Sequence, residues 1–384
     1  MRYEPGQSKK AGDSIDKQSR IQPTKKLKDL FKRLEVTSNN ITNNHKRETI
    51  VLRDKDARDK KSVNIKYEDT PATIRMRKVV ESYNEMMLNH HVDIASLRKP
   101  IFVREHTNEK GEVTKEAIPI GPDHMFTYRI FGRGDTKFRK HGRWYGGFWQ
   151  RLPKKRIDLR RDIYIDGEPT DEIDFSGLHP TLLALEHGKL LEGDKYALGR
   201  PVLDTVKMSE QRNIVKELVL IAINAKSKNA AYAAFNGQYK DKTLSHAELD
   251  QLLAAFIEKY PFLQGELCSD KGIDLMYTDS QITEAVIKRF VEADKPILPI
   301  HDSYIVKQSD KNFLKLIMKD ACNEVLGHTL PFESEFDEVQ QHVTHATHYK
   351  HTDYNYYEGV LSKHKTKVSK LYWKRYELWK EEYS

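Results

Sequence analysis

The sequence predicts an α+β fold, an antiparallel sheet with helices grouped between and around its strands. Three observations predict it. Two strand–turn–strand patterns, "IYIDGEPTDEIDF" and "ILPIHDSYIV", lie far apart in the chain. Several strongly periodic helical stretches separate them. The composition, 38% hydrophobic and 32% charged over 384 residues, suits one large domain or two to three smaller ones with polar extensions.

The elements follow in order. The first 66 residues are polar and rich in Lys and Asn. They hold 18 Lys/Arg against 9 Asp/Glu, while the remainder holds 47 against 48, so the net charge of +8 sits in this arm. Residues 1–66 are expected to be mostly disordered, with one amphipathic piece, "KLKDLFKRLEV". The arm either meets polyanions or keeps the protein in solution. From Thr70 a helix is predicted: Thr70 caps, Pro71 suits the first turn, and "IRMRKVVESYNEMML" has helical periodicity. "IYIDGEPTDEIDF" is a hairpin turning at Asp166-Gly167. "HPTLLALEHG" is a short helix with Pro180 near its start and Gly188 at its end. "SEQRNIVKELVLIAINAK" is a helix beginning at Ser209. Ser245 and Glu248 form a capping box that opens "SHAELDQLLAAFIEKYP". "DSQITEAVIKRFVEA" is a further helix, and "DKNFLKLIMKDACNEVLG" is another from Asp310 to Gly327. Beyond Gln340 the chain is rich in His and Tyr and ends in the amphipathic "SKLYWKRYELWKEEY". No internal repeat is present.

Some classes are disfavoured. No stretch approaches the ~20 apolar residues of a membrane span. The N-terminus has no apolar core of the kind a secretory signal needs. Cys268 and Cys322 alone make neither a disulfide framework nor a zinc site. A cytoplasmic protein with no membrane partner is expected.

Three features carry chemistry. Asp174 ends an apolar strand in "DEIDFSGLHP", and Asp302 sits in the turn of "LPIHDSYIVK". A turn Asp is ordinary, because its side chain caps local backbone. If the two strands are neighbours, however, both carboxylates project from one sheet edge and repel unless cations lie between them. Oxygen-only ligands point to Mg²⁺, with Mn²⁺ as a substitute, and to two-metal phosphoryl transfer. Arg212 and Lys216 share one helix face, where Arg grips phosphate oxygens and Lys adds a point charge and a proton donor. The same spacing also occurs on any solvated helix face. Residues 137–161, "KFRKHGRWYGGFWQRLPKKRIDLRR", hold ten Lys/Arg and one Asp with Phe138, Trp144, Tyr145, Phe148 and Trp149 interleaved. Cations pair with phosphates and aromatic rings stack on bases. Gly142, Gly146 and Gly147 would let the backbone approach a nucleic acid. The alternative is an aromatic core flanked by exposed charges.

In this order the motifs resemble the single-subunit polymerases of the A-family type, bacterial DNA polymerase I and the phage-type RNA polymerases. "DFSGLHP" resembles motif A, which implies Asp174 and the Phe175 backbone carbonyl as metal ligands. "RNIVKELVLIAINA" resembles motif B, which implies that Arg212 and Lys216 bind the triphosphate. "IHDSYIV" resembles motif C, with Asp302 as metal ligand. Its His-Asp-Ser is closer to the phage-type form than to the His-Asp-Glu of the DNA enzymes. "HGRWYGGFWQRLP" is similar to the motif that touches primer and template, which implies Arg143 and Tyr145 in nucleic-acid binding. "DSQITEAVI" resembles the helix before motif C, with Gln281 facing the minor groove or nucleotide, and the resemblance implies Gln281 and His301 in nucleic-acid binding. The resemblance covers about residues 125–335. Two departures bear on the sugar. Asn224-Ala225 stands where the family has Tyr-Gly, and His179 stands where DNA enzymes have the Glu that opposes a 2′-hydroxyl. Both are implied to sit at the nucleotide.

The resemblance implies a right-hand polymerase fold with an antiparallel palm sheet, small helical fingers and a helical thumb-like region. The thumb-like part is expected at 67–124, the palm at 125–205 and 270–335, and the fingers at 206–269. Residues 336–384 would form an accessory aromatic and basic tail. The implied function is template-directed nucleotidyl transfer by a DNA polymerase of a phage, plasmid or other mobile element, with primase activity in one version. Catalysis would rest on Asp174, Asp302 and Lys216. The implied partners are DNA, as primer-template or single-stranded template, and nucleoside triphosphates. A helicase or small helper protein is a further possibility that no residue names. Two other readings stay open: a single-subunit RNA polymerase, and a non-catalytic nucleic-acid-binding protein on a degenerate palm.

Overall fold

The computed structural model describes residues 2–4, 20–22, 24–34, 47–55, 61–107, 111–153, 159–238, 243–334 and 367–383. The chain divides into two units, Met1–Arg47 and Glu48–Ser384. In the first, β1 (Arg2–Glu4) pairs antiparallel with β2 (Arg20–Gln22). A Lys-rich helix, α1 (Lys25–Arg33), follows, its first turn capped by the Thr24 hydroxyl. The other residues of the expected disordered arm up to Arg47 lie outside the described residues.

The second unit begins inside that arm, which corrects its boundary. Strand β3 (Ile50–Lys55) pairs with β4 (Ser62–Ile65). Ile50 and Leu52 are buried with the half-buried Val51 between them, so the strand's first residues alternate toward the core. The Arg53-Asp54-Lys55 run that follows masks this alternation in a composition count. Helix α2 (Pro71–Leu88) starts as predicted, with Thr70 and Thr73 in a reciprocal capping box and Pro71 in the first turn. The rest of 67–124 holds, as helix, only a single 3-10 turn, Pro122–His124, among its described residues. It forms β5 (Val92–Ile94) and a long hairpin, β6 (Ile101–Thr107) and β7 (Val113–Pro119).

Strand β8 (Tyr128–Phe131) runs parallel to β3 and antiparallel to β9 (His141–Tyr145), which completes a four-stranded sheet. The larger sheet follows. Strands β10 (Ile163–Ile165) and β11 (Glu168–Phe175) form the predicted hairpin. Asp166 and Gly167 both have positive φ, 53° and 83°, as a two-residue turn matched to strand twist requires. Then come α3 (Leu178–Glu186), α4 (Met208–Asn224), α5 (Lys228–Gln238) and α6 (His246–Lys259). The described residues of 206–269 are thus mostly helical, and Ser245 and Glu248 cap α6 as predicted.

Helix α7 (Gly272–Glu292) starts well before Asp279 and carries it as an interior residue. The chain closes with β12 (Leu298–Ile300), β13 (Ser303–Lys307), α8 (Lys311–Leu326), β14 (Phe332–Ser334) and α9 (Lys370–Tyr383). Gly327, φ 70°, ends α8. The strands order as β12-β13-β11-β10-β5, with β14 on the free side of β11, and every pair in this sheet is antiparallel. The fold is therefore mixed α and β, with an antiparallel larger sheet and one parallel pair, β3 and β8, in the four-stranded sheet. One core cluster joins both sheets of this unit to α2–α8.

The expected accessory tail also differs. Residues 335–366 lie outside the described residues, but α9 is docked. Tyr372 is fully buried, Tyr376 donates to the Asp166 carbonyl, and Arg375 pairs with the buried Asp93 at 2.7 Å. Most aromatic side chains of the stretch 137–161 are likewise interior. Phe138, Trp144, Phe148 and Trp149 are buried, and the Trp149 indole donates to the Pro299 carbonyl. Their interleaving with cations comes from a core strand and turn, not from a stacking surface. Lys154, Lys155 and Arg156 lie outside the described residues. The glycines serve close packing within the protein: a Cβ on Gly142 would come within 2.5 Å of Ser280 Oγ on α7, and one on Gly146 within 2.3 Å of the Phe126 carbonyl.

Candidate active site

The pairing of β11 with β13 places Asp174 opposite Ser303, and the Phe175 N–H donates to the Asp302 carbonyl at 3.3 Å. Neighbouring strands lie about 4.8 Å apart. The two carboxylates predicted to share a sheet edge therefore do so at the backbone level. On the other side of β11, Glu333 of β14 pairs with Asp174. Asp302 is fixed by a two-residue turn between Ile300 and Ser303, with His301 in the left-handed region at φ 57°. Thr283 of α7 holds this turn. Its hydroxyl donates to the His301 carbonyl and bonds to the buried Tyr304 hydroxyl.

A buried polar cluster lies beside Asp302. Arg143 on β9 donates from Nε to Asp279 at 2.6 Å and from Nη2 to His179 Nε2 at 3.1 Å. Because Nε2 accepts, His179 is a neutral imidazole protonated on Nδ1. Burial and the Arg143 charge push its pKa down to about 4, against the pull of Asp302. Asp279 is only 1% exposed. Burial pushes its pKa up to about 7 in spite of Arg143. Burial opposes the charge on Arg143 too, but Asp279 and Asp302 raise its pKa overall. Arg129, fully buried, ties β8 to β9 and α7: it donates to the Gly142 carbonyl and Ser280 Oγ and pairs with Glu284. That bracing fixes where Arg143 emerges. Tyr145 stacks on His141 and meets His301 edge-on with centroids 5.5 Å apart. Burial pushes His301 down to about 4.

Arg212 and Lys216 lie on one face of α4, as their spacing predicts. Both sit over the ring of Tyr196, at 5.7 and 5.9 Å. Tyr196 is buried, and burial together with the charge of Asp302 raises its hydroxyl pKa. Tyr196 thus links the Arg/Lys face, which covers its ring, to Asp302, whose charge it feels. Arg212 also pairs with Asp194 at 2.8 Å in an exposed setting. Lys195 is buried, donates to Ser176 Oγ at 3.2 Å next to Phe175, and is pushed down by its burial.

Two predicted residues are not brought to the carboxylates. Asn224, at the end of α4, donates to the Leu220 carbonyl and rests against Gly272. Gln281 faces a cleft between α2 and α7. Four residues of the cluster, Arg129, Lys195, Tyr196 and Asp279, escaped sequence reasoning. Asp279 alone left a signal: an acid on a helix face shared with Leu275, Ile282 and Val286.

The donor set suits a hard cation. It consists of the Asp174 carboxylate on β11, the Asp302 carboxylate in the β12–β13 turn and the Phe175 carbonyl. Among the described residues no group of three or more His, Cys, Asp or Glu side chains converges on a metal position. Mg²⁺ ordinarily takes one or two protein carboxylates and completes its shell with water and substrate phosphates, so the residues fit it.

No family model matches this chain, and no curated protein matches it. Among solved structures, it is similar to the polymerase domain of Pol1 from M. smegmatis, in complex with DNA primer-template and dNTP. That likeness covers 50% of this chain and 45% of that chain, at 13% identity and a TM-score of 0.33. So loose a superposition carries no weight for fold or chemistry. Among the described residues no helix is long and apolar enough to cross a membrane.

Proposed function

We propose that this chain is a template-directed nucleotidyltransferase that extends a nucleic-acid strand at the edge of its larger sheet. One observation carries the reading: β11 and β13 set Asp174 and Asp302 side by side while the Arg212–Lys216 face sits over Tyr196, within electrostatic reach of Asp302. The order of the five motifs supports it.

In this reading a Mg²⁺ pair held by Asp174, Asp302 and the Phe175 carbonyl would activate the 3′-hydroxyl and neutralise the triphosphate. The chain's own residues do the rest. Arg212 grips phosphate oxygens, exchanging Asp194 for substrate. Lys216 adds a second charge and donates a proton to the leaving pyrophosphate. Arg143, held by Asp279, keeps N–H donors for the primer-template and presents His179 in one tautomer at the nucleotide sugar. Tyr145 and His301 form the wall between them.

Primer extension tests the reading. A labelled primer on a DNA template, with Mg²⁺ and either dNTPs or NTPs, should give templated product with wild-type protein and none with Asp302→Ala. Reactions without primer report on primase activity, and the dNTP/NTP comparison separates a DNA from an RNA product. A second reading, a non-catalytic nucleic-acid-binding protein, is favoured by Asn224, which turns back onto its own helix where the family has Tyr. Metal-dependent triphosphate binding that disappears in Asp302→Ala would eliminate that alternative. Duplex binding without any triphosphate binding would eliminate the polymerase.

A further inference from the structure

Helix α7 has two polar faces. Residues two apart on a helix point about 200° apart. Asp279 therefore meets Arg143 on one side, while Gln281 turns into the cleft against α2 on the other. This cleft has a volume of about 630 Å³, the size of a small-ligand site. Its floor is apolar, formed by Met76, Val79, Phe138 and Val291 beside the ring of Tyr277. Four cations line it as well: Arg75, Lys78, Lys137 and Lys288. They outnumber Glu284 and Glu292, and Glu284 is already held by the buried Arg129 as well as by Lys288. Gln281 adds an amide whose Nε2 is buried and donates to nothing in the protein.

We infer that this cleft is a second nucleotide site, which takes a nucleobase together with its phosphate. Each part of the ligand has a counterpart. The flat face of a base covers the apolar floor. Its polar edge brings an exocyclic N–H, such as that of adenine, to the amide oxygen of Gln281. The phosphate meets the cations. A plain hydrophobe would leave the amide and the cations without partners, and an inorganic polyphosphate would leave the floor bare. The site needs no divalent metal and is separate from the carboxylate edge. The same chemistry arrives as a free nucleotide or as the end of a strand.

The test is calorimetric titration of the full-length protein in EDTA with dAMP, adenosine, inorganic phosphate and a 5′-phosphorylated octanucleotide. Wild type, Gln281→Leu, Val79→Trp and Asp302→Ala are compared, with circular dichroism as the check on folding. Gln281→Leu keeps the volume and removes the amide, and Val79→Trp fills the floor. The expected result is that dAMP binds more tightly than adenosine or phosphate and that its Kd rises at least ~10-fold in both cleft variants, about 1.4 kcal/mol. Asp302→Ala should leave it unchanged. Tighter binding of the octanucleotide would assign a strand end, and equal binding a free nucleotide. No binding at about 10 mM dAMP or octanucleotide overturns the inference. So does equal loss in Asp302→Ala, which would put the ligand at the carboxylates. The titration is independent of whether the protein extends a primer.

Discussion

Arg143 and Arg212 make the same kind of ion pair in opposite surroundings. Arg143 and Asp279 meet at 2.6 Å with side chains 13% and 1% exposed. Arg212 and Asp194 meet at 2.8 Å with side chains 44% and 40% exposed. A buried pair has shed its water, so breaking it strands a charge in a poor solvent. An exposed pair is screened and trades partners at little cost. Arg143 is thus suited to hold a site in shape, and Arg212 to let go of Asp194 when a phosphate arrives.

The largest effect expected from this contrast is on stability. Arg143→Ala should cost about 3–5 kcal/mol at pH 8 in urea unfolding, because Asp279 is left buried without its cation. The sign with pH follows from Asp279. Burial raises its folded pKa to about 7 even with Arg143 lowering it, and loss of that cation raises it further, so the penalty grows as pH rises above the unfolded carboxylate value and is smaller at pH 5 than at pH 8. The double change Arg143→Met with Asp279→Leu should recover most of the stability without restoring extension. If the single change is as costly at pH 5 as at pH 8, lost packing rather than charge explains it.

Next comes the rate. Asp174→Ala or Asp302→Ala should lower extension by more than ~10²-fold in single-turnover assays with little change in melting. A near-normal rate would end their assignment as metal ligands. Arg212→Ala is the mirror image of Arg143→Ala. It should shift unfolding by less than about 1 kcal/mol. It should lower kcat/KM some 10- to 100-fold, the worth of a hydrogen bond to a charged phosphate. A large loss of stability instead would erase the distinction between the two arginines.

Tyr376→Phe on α9 removes one hydrogen bond to the Asp166 carbonyl and should cost about 1 kcal/mol, with extension unaffected. The smallest effect is the pH slope from His179. Its folded pKa, about 4, lies below the unfolded value, so its contribution is complete above about pH 6.5 and is lost as pH falls toward 4. His179→Gln should flatten that part of the stability profile. An unchanged slope would mean that His179 is not held neutral.

Legibility in the sequence tracked how local the causes were. The Asp166-Gly167 turn and the Thr70 and Ser245 caps were readable because their residues interact within a few positions. Strand β5, three residues long, was not, because its sheet partner among the described residues, β10, lies some seventy positions away. Trp144 and Trp149 were misread for a related reason: an aromatic residue between cations looks alike in a core strand and on a stacking surface. Asp174, Asp302, Arg212 and Lys216 stood out through spacing and setting. Lys195 and Tyr196 had no pattern, since only the return of the chain past Phe175 makes them neighbours of the site. Gln281 was expected at the minor groove or nucleotide, yet its helix turns it to the opposite side from Asp279.

Helix α9 bears on how the chain is made. It lies along β5, the outermost strand of the larger sheet: the Ser369 N–H donates to the Ala95 carbonyl, and Arg375 reaches Asp93 across 282 positions. Translation proceeds at roughly 5–20 residues per second, so the emerging strand waits some tens of seconds for its cover. During that interval on the ribosome the strand rim is open to pairing with neighbouring nascent chains, a hazard that exposed strand rims carry. Chaperone dependence and yield in the cell should therefore respond to lesions in α9 that purified, folded protein barely registers.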